Sequence, residues 1–250
     1  MVVGTGIQLI GQVTPAAQFE LEGADEVLFL TSDVAEAVWL RQVNPNARSL
    51  GRHYERGKHR REIYDAMVEE ILASVRRGKR VCAVFYGHPG VYVTPSHEVV
   101  RRARAEGFAA RMLPGVSAED CLFADLGVNP GTSGWQSYEA TSLLLRRQRP
   151  DPTAALLLWQ VDAVGKVTYD DEPVSEGLRV LADYLLELYP PEHRAVFYTA
   201  ALHPIAEPLI EPIALGELAA REGRPPGTLY VPPLPARRVD EKMAQKLRLR

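Results

Sequence analysis

Residues 84–97 read Val-Phe-Tyr-Gly-His-Pro-Gly-Val-Tyr-Val-Thr-Pro-Ser-His. An apolar strand runs straight into an elbow of two glycines and a proline, and a helix start follows at once. A strand that hands over directly to a helix is the building unit of a parallel sheet, because parallel neighbours need a crossover connection. The elbow brings bare backbone to the C-terminal end of that strand, where α/β sheets meet their ligands.

The rest of the front half repeats the alternation. A short strand Met1–Val3 feeds Gly4-Thr5-Gly6. Thr14 caps a helix with Pro15 at its first position, ending near Glu22. A strand over Glu26–Thr31 follows, then a helix capped by Ser32-Asp33 and broken at Asn44-Pro45-Asn46. Ile63, Met67, Ile71, Leu72 and Val75 recur at helical spacing within a helix over Arg60–Arg77, and Gly78 is its left-handed stop. A strand over Arg80–Tyr86, a helix capped by Thr94 with Pro95, and a strand reaching about Met112 complete this half.

Leu113-Pro114-Gly115 reads as a hinge, dividing the chain into domains 1–113 and 114–233 with a tail over 234–250. Ser117 caps a short helix, and Asp120 completes a capping box. Gly127 to Gly134 reads as a loop. Strands are expected over Ser137–Ala140, Ala154–Gln160, Ala195–Ala200 and Thr228–Val231, with one long helix, Val174–Leu188. The fold class is therefore α/β in front, with helices on both faces of a mostly parallel sheet, and α+β behind. The tail is Pro-rich, then basic and amphipathic.

Composition narrows the function classes. The chain has 250 residues, 46% of them hydrophobic, with a net charge of -3. Its acidic balance argues against general nucleic-acid binding. No apolar run approaches the roughly 20 residues of a membrane span, and the N-terminus lacks a signal sequence, so a cytoplasmic protein is expected. Cys82 and Cys121 form neither a metal spacing nor a disulfide framework and read as buried thiols. The six histidines show no ligand spacing with acids, so no metal site is expected. Gly4-Thr5-Gly6 lacks the third glycine of a dinucleotide fingerprint, with Leu9 in its place, and no P-loop lysine pattern is present.

Three blocks in fixed order carry a resemblance: Gly4-Thr5-Gly6, the Tyr86 elbow, and the run Leu113-Pro-Gly-Val-Ser-Ala-Glu-Asp-Cys-Leu-Phe-Ala-Asp-Leu-Gly. Together they resemble the tetrapyrrole (corrin/porphyrin) methylase superfamily. Leu158-Trp159-Gln160-Val161, Tyr198-Thr199-Ala200-Ala201 and Thr228-Leu229-Tyr230-Val231-Pro232-Pro233 extend the likeness to its borosin branch, the peptide backbone α-N-methyltransferases. The resemblance implies a two-domain methylase fold with S-adenosylmethionine in the cleft between the domains, leaving as S-adenosylhomocysteine. Carried over by position, the cofactor contacts would be Tyr86, His88, Val91, Ser117, Ala118, Gln160, Tyr198, Ala200 and Thr228. Ser117 at a helix N-terminus suits the cofactor's carboxylate.

The same resemblance implies Tyr54, Arg60 and Tyr64 as the catalytic set, and Arg61 can share the role of Arg60. Gly51 stands where some members carry an aromatic residue. Arg60 and Tyr64 lie one helical turn apart on one face. The chemistry calls for such groups. An amide nitrogen is a poor nucleophile because its lone pair is delocalised into the carbonyl. Its methylation requires loosening the N–H proton while the carbonyl oxygen gains negative charge. A tyrosinate is a suitable base if a nearby Arg lowers its pKa from about 10, and Arg60 or a second tyrosine hydroxyl can hold the oxygen.

Fused members of the branch carry their substrate as a C-terminal extension. This chain ends at Arg250, which points to the split type. The resemblance then implies a homodimer that grips the recognition domain of a separate precursor peptide, as a heterotetramer. His203-Pro204 and a 131–145 loop are candidates for shaping the peptide channel. Two alternatives stay open: a porphyrinoid or other small-molecule C-methyltransferase of the same fold, and a non-enzymatic peptide-binding protein.

Overall fold

In a computed structural model that describes residues 1–31, 33–170 and 174–249, the contacts cluster into two units. The first comprises Met1–Val128, Lys166–Glu172 and Thr199–Leu209; the second comprises Asn129–Gly165, Pro173–Tyr198 and Ile210–Arg250.

The first unit alternates strand and helix: β1 (Val2–Gly4), α1 (Pro15–Glu22), β2 (Glu26–Leu30), α2 (Val34–Val43), β3 (Ala47–Ser49), α3 (Arg60–Arg76), β4 (Val81–Phe85), α4 (Thr94–Ala105) and α5 (Ala118–Leu126). The four strands lie in the order β1-β4-β2-β3, all parallel. Successive side chains of each strand face opposite sides. Val2, Leu28, Ala83 and Phe85 pack with Ile63, Met67, Val99 and Ala103 of α3 and α4. Val3, Val27, Phe29, Cys82 and Val84 pack with Ala17, Leu21 and Leu40 of α1 and α2. Helices therefore cover both faces, and β4 is buried along its whole length.

Local chemistry explains most boundaries. Thr14 caps α1 by accepting from the Ala17 amide at 3.1 Å. Asp33 caps α2; its expected co-cap Ser32 lies outside the described residues. The α2 helix stops at Val43 because Asn44 is buried and donates to the carbonyls of Leu21 (3.0 Å) and Ala24 (2.8 Å). Gly78 takes φ +79° after α3. Three expectations are corrected. Thr94 does not cap α4: Val93 is the cap residue, Thr94 is the first helical residue, and the buried Ser96 hydroxyl donates to Val93 O at 2.7 Å. The strand expected to reach Met112 is a single bridge to Val2. Cys121 is half-buried, and Gln12 Nε2 approaches its sulfur at 3.5 Å.

The second unit holds α6 (Pro130–Ser133), β5 (Trp135–Glu139), α7 (Ala140–Leu145), β6 (Ala155–Trp159), α8 (Ser175–Leu186), most of β7 (Arg194–Thr199) and β8 (Leu209–Ala214), β9 (Thr228–Val231) and α9 (Glu241–Lys246). Its mixed sheet runs β5-β6-β9-β7-β8, with β5 parallel to β6 and β9 antiparallel to both β6 and β7. The core is Leu178, Leu181 and Leu185 of α8 against Leu156, Leu158, Phe197 and Leu229. The stretch expected as a 131–145 loop is instead α6, β5 and α7 in succession. The β8 strand, unexpected from sequence, contains Pro212 and sits at the sheet edge, where a missing amide donor is tolerated. Among the described residues, no helix is long and apolar enough to cross a membrane, and no group of three or more His, Cys, Asp or Glu residues has a metal-binding arrangement.

Candidate active site

Tyr54 leaves a short 3-10 turn over Gly51–His53, and Arg60 opens α3 with Tyr64 one turn further on. All three belong to the first unit. The Tyr54 hydroxyl lies within the electrostatic reach of Tyr64, Tyr86 and Arg60. The three expected catalytic residues and one expected cofactor contact, Tyr86, thus form one cluster. Burial pushes the Tyr54 hydroxyl well above its usual pKa, and the neighbouring tyrosines add to this; Arg60 pulls the other way and is outweighed. An arginine-lowered tyrosinate is therefore disfavoured at Tyr54, whose phenol is held protonated and can donate a hydrogen bond. Arg60 Nε is buried without a hydrogen-bond partner among the described residues. A buried N–H left unpaired costs stability, and an acceptor reaching that atom would relieve the cost. Arg61 is exposed; its amide donates to His59 Nδ1 at 3.1 Å, which caps α3.

A distant segment fixes the loop that presents these groups. Gly57 N donates to Tyr169 O at 2.7 Å, Tyr169 N to Lys58 O at 2.9 Å, and Arg60 N to Val167 O at 2.9 Å. The Tyr169 ring stands on Tyr54 with centroids 4.8 Å apart and planes at 49°. Tyr169 is absent from the sequence-based set. No local motif marks it, because its partner lies far away in the chain.

Behind the cluster, three glycine turns press backbone on backbone. Gly6 N donates to Gly87 O at 3.3 Å, and Gly87 N donates to Gly6 O at 2.7 Å. A Cβ on Gly4 would stand 2.1 Å from Gly87 O, and one on Gly115 would stand 3.0 Å from the same atom. Gly87 itself has φ +70°. The three sequence blocks thus meet at one spot where side chains are excluded. His88 folds into the elbow: its Nδ1 accepts from Gly90 N at 2.9 Å. Tyr86 is exposed and Val91 half-buried. Ser117 and Asp120 form the expected capping box, with Ser117 N and Oγ each 2.7 Å from Asp120 Oδ2. Ser117's own amide is thereby occupied, and Ala118, first in α5, is among the residues whose amides have no acceptor within the helix. Ala200 is buried in the first unit.

Gln160, Tyr198 and Thr228 belong to the second unit. Thr228 opens β9 and pairs with Trp159 at the end of β6 and with Tyr198 near the end of β7. Gln160 follows β6 in the left-handed region, φ 56°. These three expected contacts lie at one end of the mixed sheet.

The first unit also holds a feature the sequence did not signal. Glu36, on α2, is 7% exposed; one carboxylate oxygen accepts from Thr31 and the other has no partner among the described residues. Burial raises its pKa, and hydrogen bonds from Thr31 and Thr5 oppose this. Thr5 belongs to the first glycine turn, so a buried carboxyl backs that turn.

The family model for Tetrapyrrole (Corrin/Porphyrin) Methylases matches residues 1–203. The chain belongs to this family. Among solved structures, uroporphyrin-III-C-methyltransferase from Thermus thermophilus matches with a TM-score of 0.65 at 21% identity, over 92% of this chain and 90% of that one. The methyltransferase CobJ matches with 0.66 at 20% identity, over 95% of each. These likenesses establish the methylase fold. Among curated proteins, the methyltransferase/ribosomally synthesized cyclic peptide dendrothelin A precursor of Dendrothele bispora is 41% identical over 239 residues, 93% of this chain. The corresponding omphalotin A precursor of Omphalotus olearius is 40% identical over 238 residues. The chain spans 57% of the length of each of these two relatives.

Proposed function

We propose that the protein is an S-adenosylmethionine-dependent methyltransferase acting on backbone amide nitrogens of a precursor peptide. The relatives named as methyltransferase and cyclic peptide precursor support the peptide substrate. The observation that carries the chemistry is the buried, unpartnered Arg60 Nε beside the neutral Tyr54 hydroxyl. Two neighbouring donors suit an amide oxygen that gains charge as its nitrogen is alkylated. Tyr54 donates to that oxygen, Arg60 holds the charge, and Tyr64, reacting through its phenolate form, takes the N–H proton and becomes the phenol.

The glycine turns suit a cofactor because, packed backbone on backbone, they present main chain rather than side chains at that spot. The Ala118 amide at the start of α5 suits its carboxylate. When bound, the cofactor supplies a methyl group on a sulfonium. A separate precursor, a homodimer and their heterotetramer complete the proposal, although the relatives are named as methyltransferase and precursor together.

Purified protein mixed with S-adenosylmethionine and a candidate precursor is expected to yield peptides heavier by whole methyl groups on backbone nitrogens, located by tandem mass spectrometry. Methyl groups only on side chains, or only on a porphyrinoid, would overturn the reading. Light scattering with and without precursor tests the assembly.

A further inference from the structure

We propose that a cationic groove along α4 docks an acidic stretch of the peptide substrate and leads its chain to Tyr64; this rests on the peptide reading of the site. The groove, about 770 Å³, lies between α3 and α4 and is lined by Arg61, Tyr64, Asp65, His97, Glu98 and Arg101 among others. At His97 and Arg101 it continues into a second recess of about 610 Å³ that adds Arg104 and Arg111. A member of the candidate catalytic set thus lines this groove on the first unit.

The charge pattern indicates the occupant. The chain carries a net charge of -3, yet this groove gathers four arginines against two carboxylates. Arginines nearby are neutralised: the exposed Arg76 by Glu69 and Glu106, and the half-buried Arg102 by Glu69. The groove arginines are mostly not. Arg104 gives Nε to Ala110 O at 2.7 Å, and its terminal nitrogens meet no carboxylate among the described residues. The nearest acid to Arg111, Glu20, is 3.9 Å away, and Arg101 alone is closely paired, with Glu98. Exposed guanidiniums with no close carboxylate, here Arg104 and Arg111, recognise carboxylates. Asp65 and Glu98 within the same walls disfavour a continuous phosphate backbone and can accept peptide N–H groups. Val68 and Pro95 supply the apolar strip an extended chain needs.

Exposed charge pairs act on encounter and register more than on chemistry, so the effect belongs in KM and in salt dependence. The probe is a fluorescent peptide with a glutamate tract joined to a Val-Gly acceptor tract, compared with the same peptide carrying glutamine for every glutamate. Roughly tenfold tighter binding of the glutamate peptide at low salt is expected, as three exposed pairs allow. That preference is expected to vanish in Arg101→Gln/Arg104→Gln/Arg111→Gln and at high salt, with kcat unchanged. Because Arg104 also holds the Ala110 carbonyl, Arg101→Gln/Arg111→Gln serves as a second variant that leaves this bond in place. A glutamate preference that survives in both variants overturns the proposal, as does tighter binding of a single-stranded oligonucleotide of equal charge. If the glutamate peptide docks in this groove but gains no methyl, the docking stands and the acceptor reading falls. If both variants methylate it with the wild-type KM, the docking falls and the acceptor reading stands.

Discussion

Arg60 combines a backbone that is fully engaged with a side chain that is not. Its amide closes onto Val167, while its Nε waits in a buried place. On the proposed mechanism, Arg60→Gln is expected to lower kcat roughly a hundred- to a thousandfold, as loss of one oxyanion donor does. Tyr64→Phe is expected to lower kcat by roughly a hundred- to ten-thousandfold, the range for a positioned acid or base. Single-turnover kinetics with saturating cofactor would check both. The Tyr54 prediction concerns pH. Its folded pKa lies above the ordinary 10.0, so the neutral phenol is favoured by folding. That contribution is complete below pH 10 and is lost as pH rises through the folded value. Tyrosinate absorbance on alkaline titration is expected to show a late-ionising group, Tyr54 together with the buried Tyr189 and Tyr230, that is one tyrosine smaller in Tyr54→Phe. At this scale Tyr54, Arg60 and Tyr64 entered through the family resemblance, and their positions around one helix start are what the structure adds. Tyr169 was not legible, since ring stacking between distant segments leaves no local trace, and the protonation of Tyr54 depends on burial that only the fold supplies.

Elements with strong periodicity were the easiest to read. The α3 core positions Ile63, Met67, Ile71 and Leu72 are all at most 1% exposed, as their spacing implied. Short elements escaped: β3 is held by three residue pairs with β2, and β8 carries a proline. The glycine turns were legible as turns, but the fact that Gly4, Gly87 and Gly115 press on one another required coordinates. Gly4→Ala would place a methyl 2.1 Å from a backbone oxygen, which cannot swing aside as a side chain can. A stability loss of about 1–3 kcal/mol is expected from such overpacking, together with weaker binding of S-adenosylhomocysteine. Thermal denaturation and calorimetry would measure each. Wild-type affinity in a folded Gly4→Ala protein would remove this contact from the cofactor cradle.

For the molecule as a whole, acid tolerance has an identifiable origin. Glu26 is 3% exposed on β2; burial alone would raise its pKa, but Arg48, Ser74 and Lys79 hydrogen-bond to its carboxylate and hold it down to about 2. The folded value lies below the ordinary 4.5, so the stabilising contribution is full above that pH and is lost as pH falls towards 2. Linkage puts it at about 3 kcal/mol or less. Acid unfolding followed by circular dichroism is expected to be steep in this window and shallower in Glu26→Gln. The pairing of residues 57–60 with 167–169 bears on how such a catalyst can be taken apart. All three residues of the candidate catalytic set come from the front of the chain, and transplanting that stretch into another scaffold would carry every side chain the chemistry names. It would omit the strip that holds them in register, so a graft of this kind would inherit the parts list without the alignment.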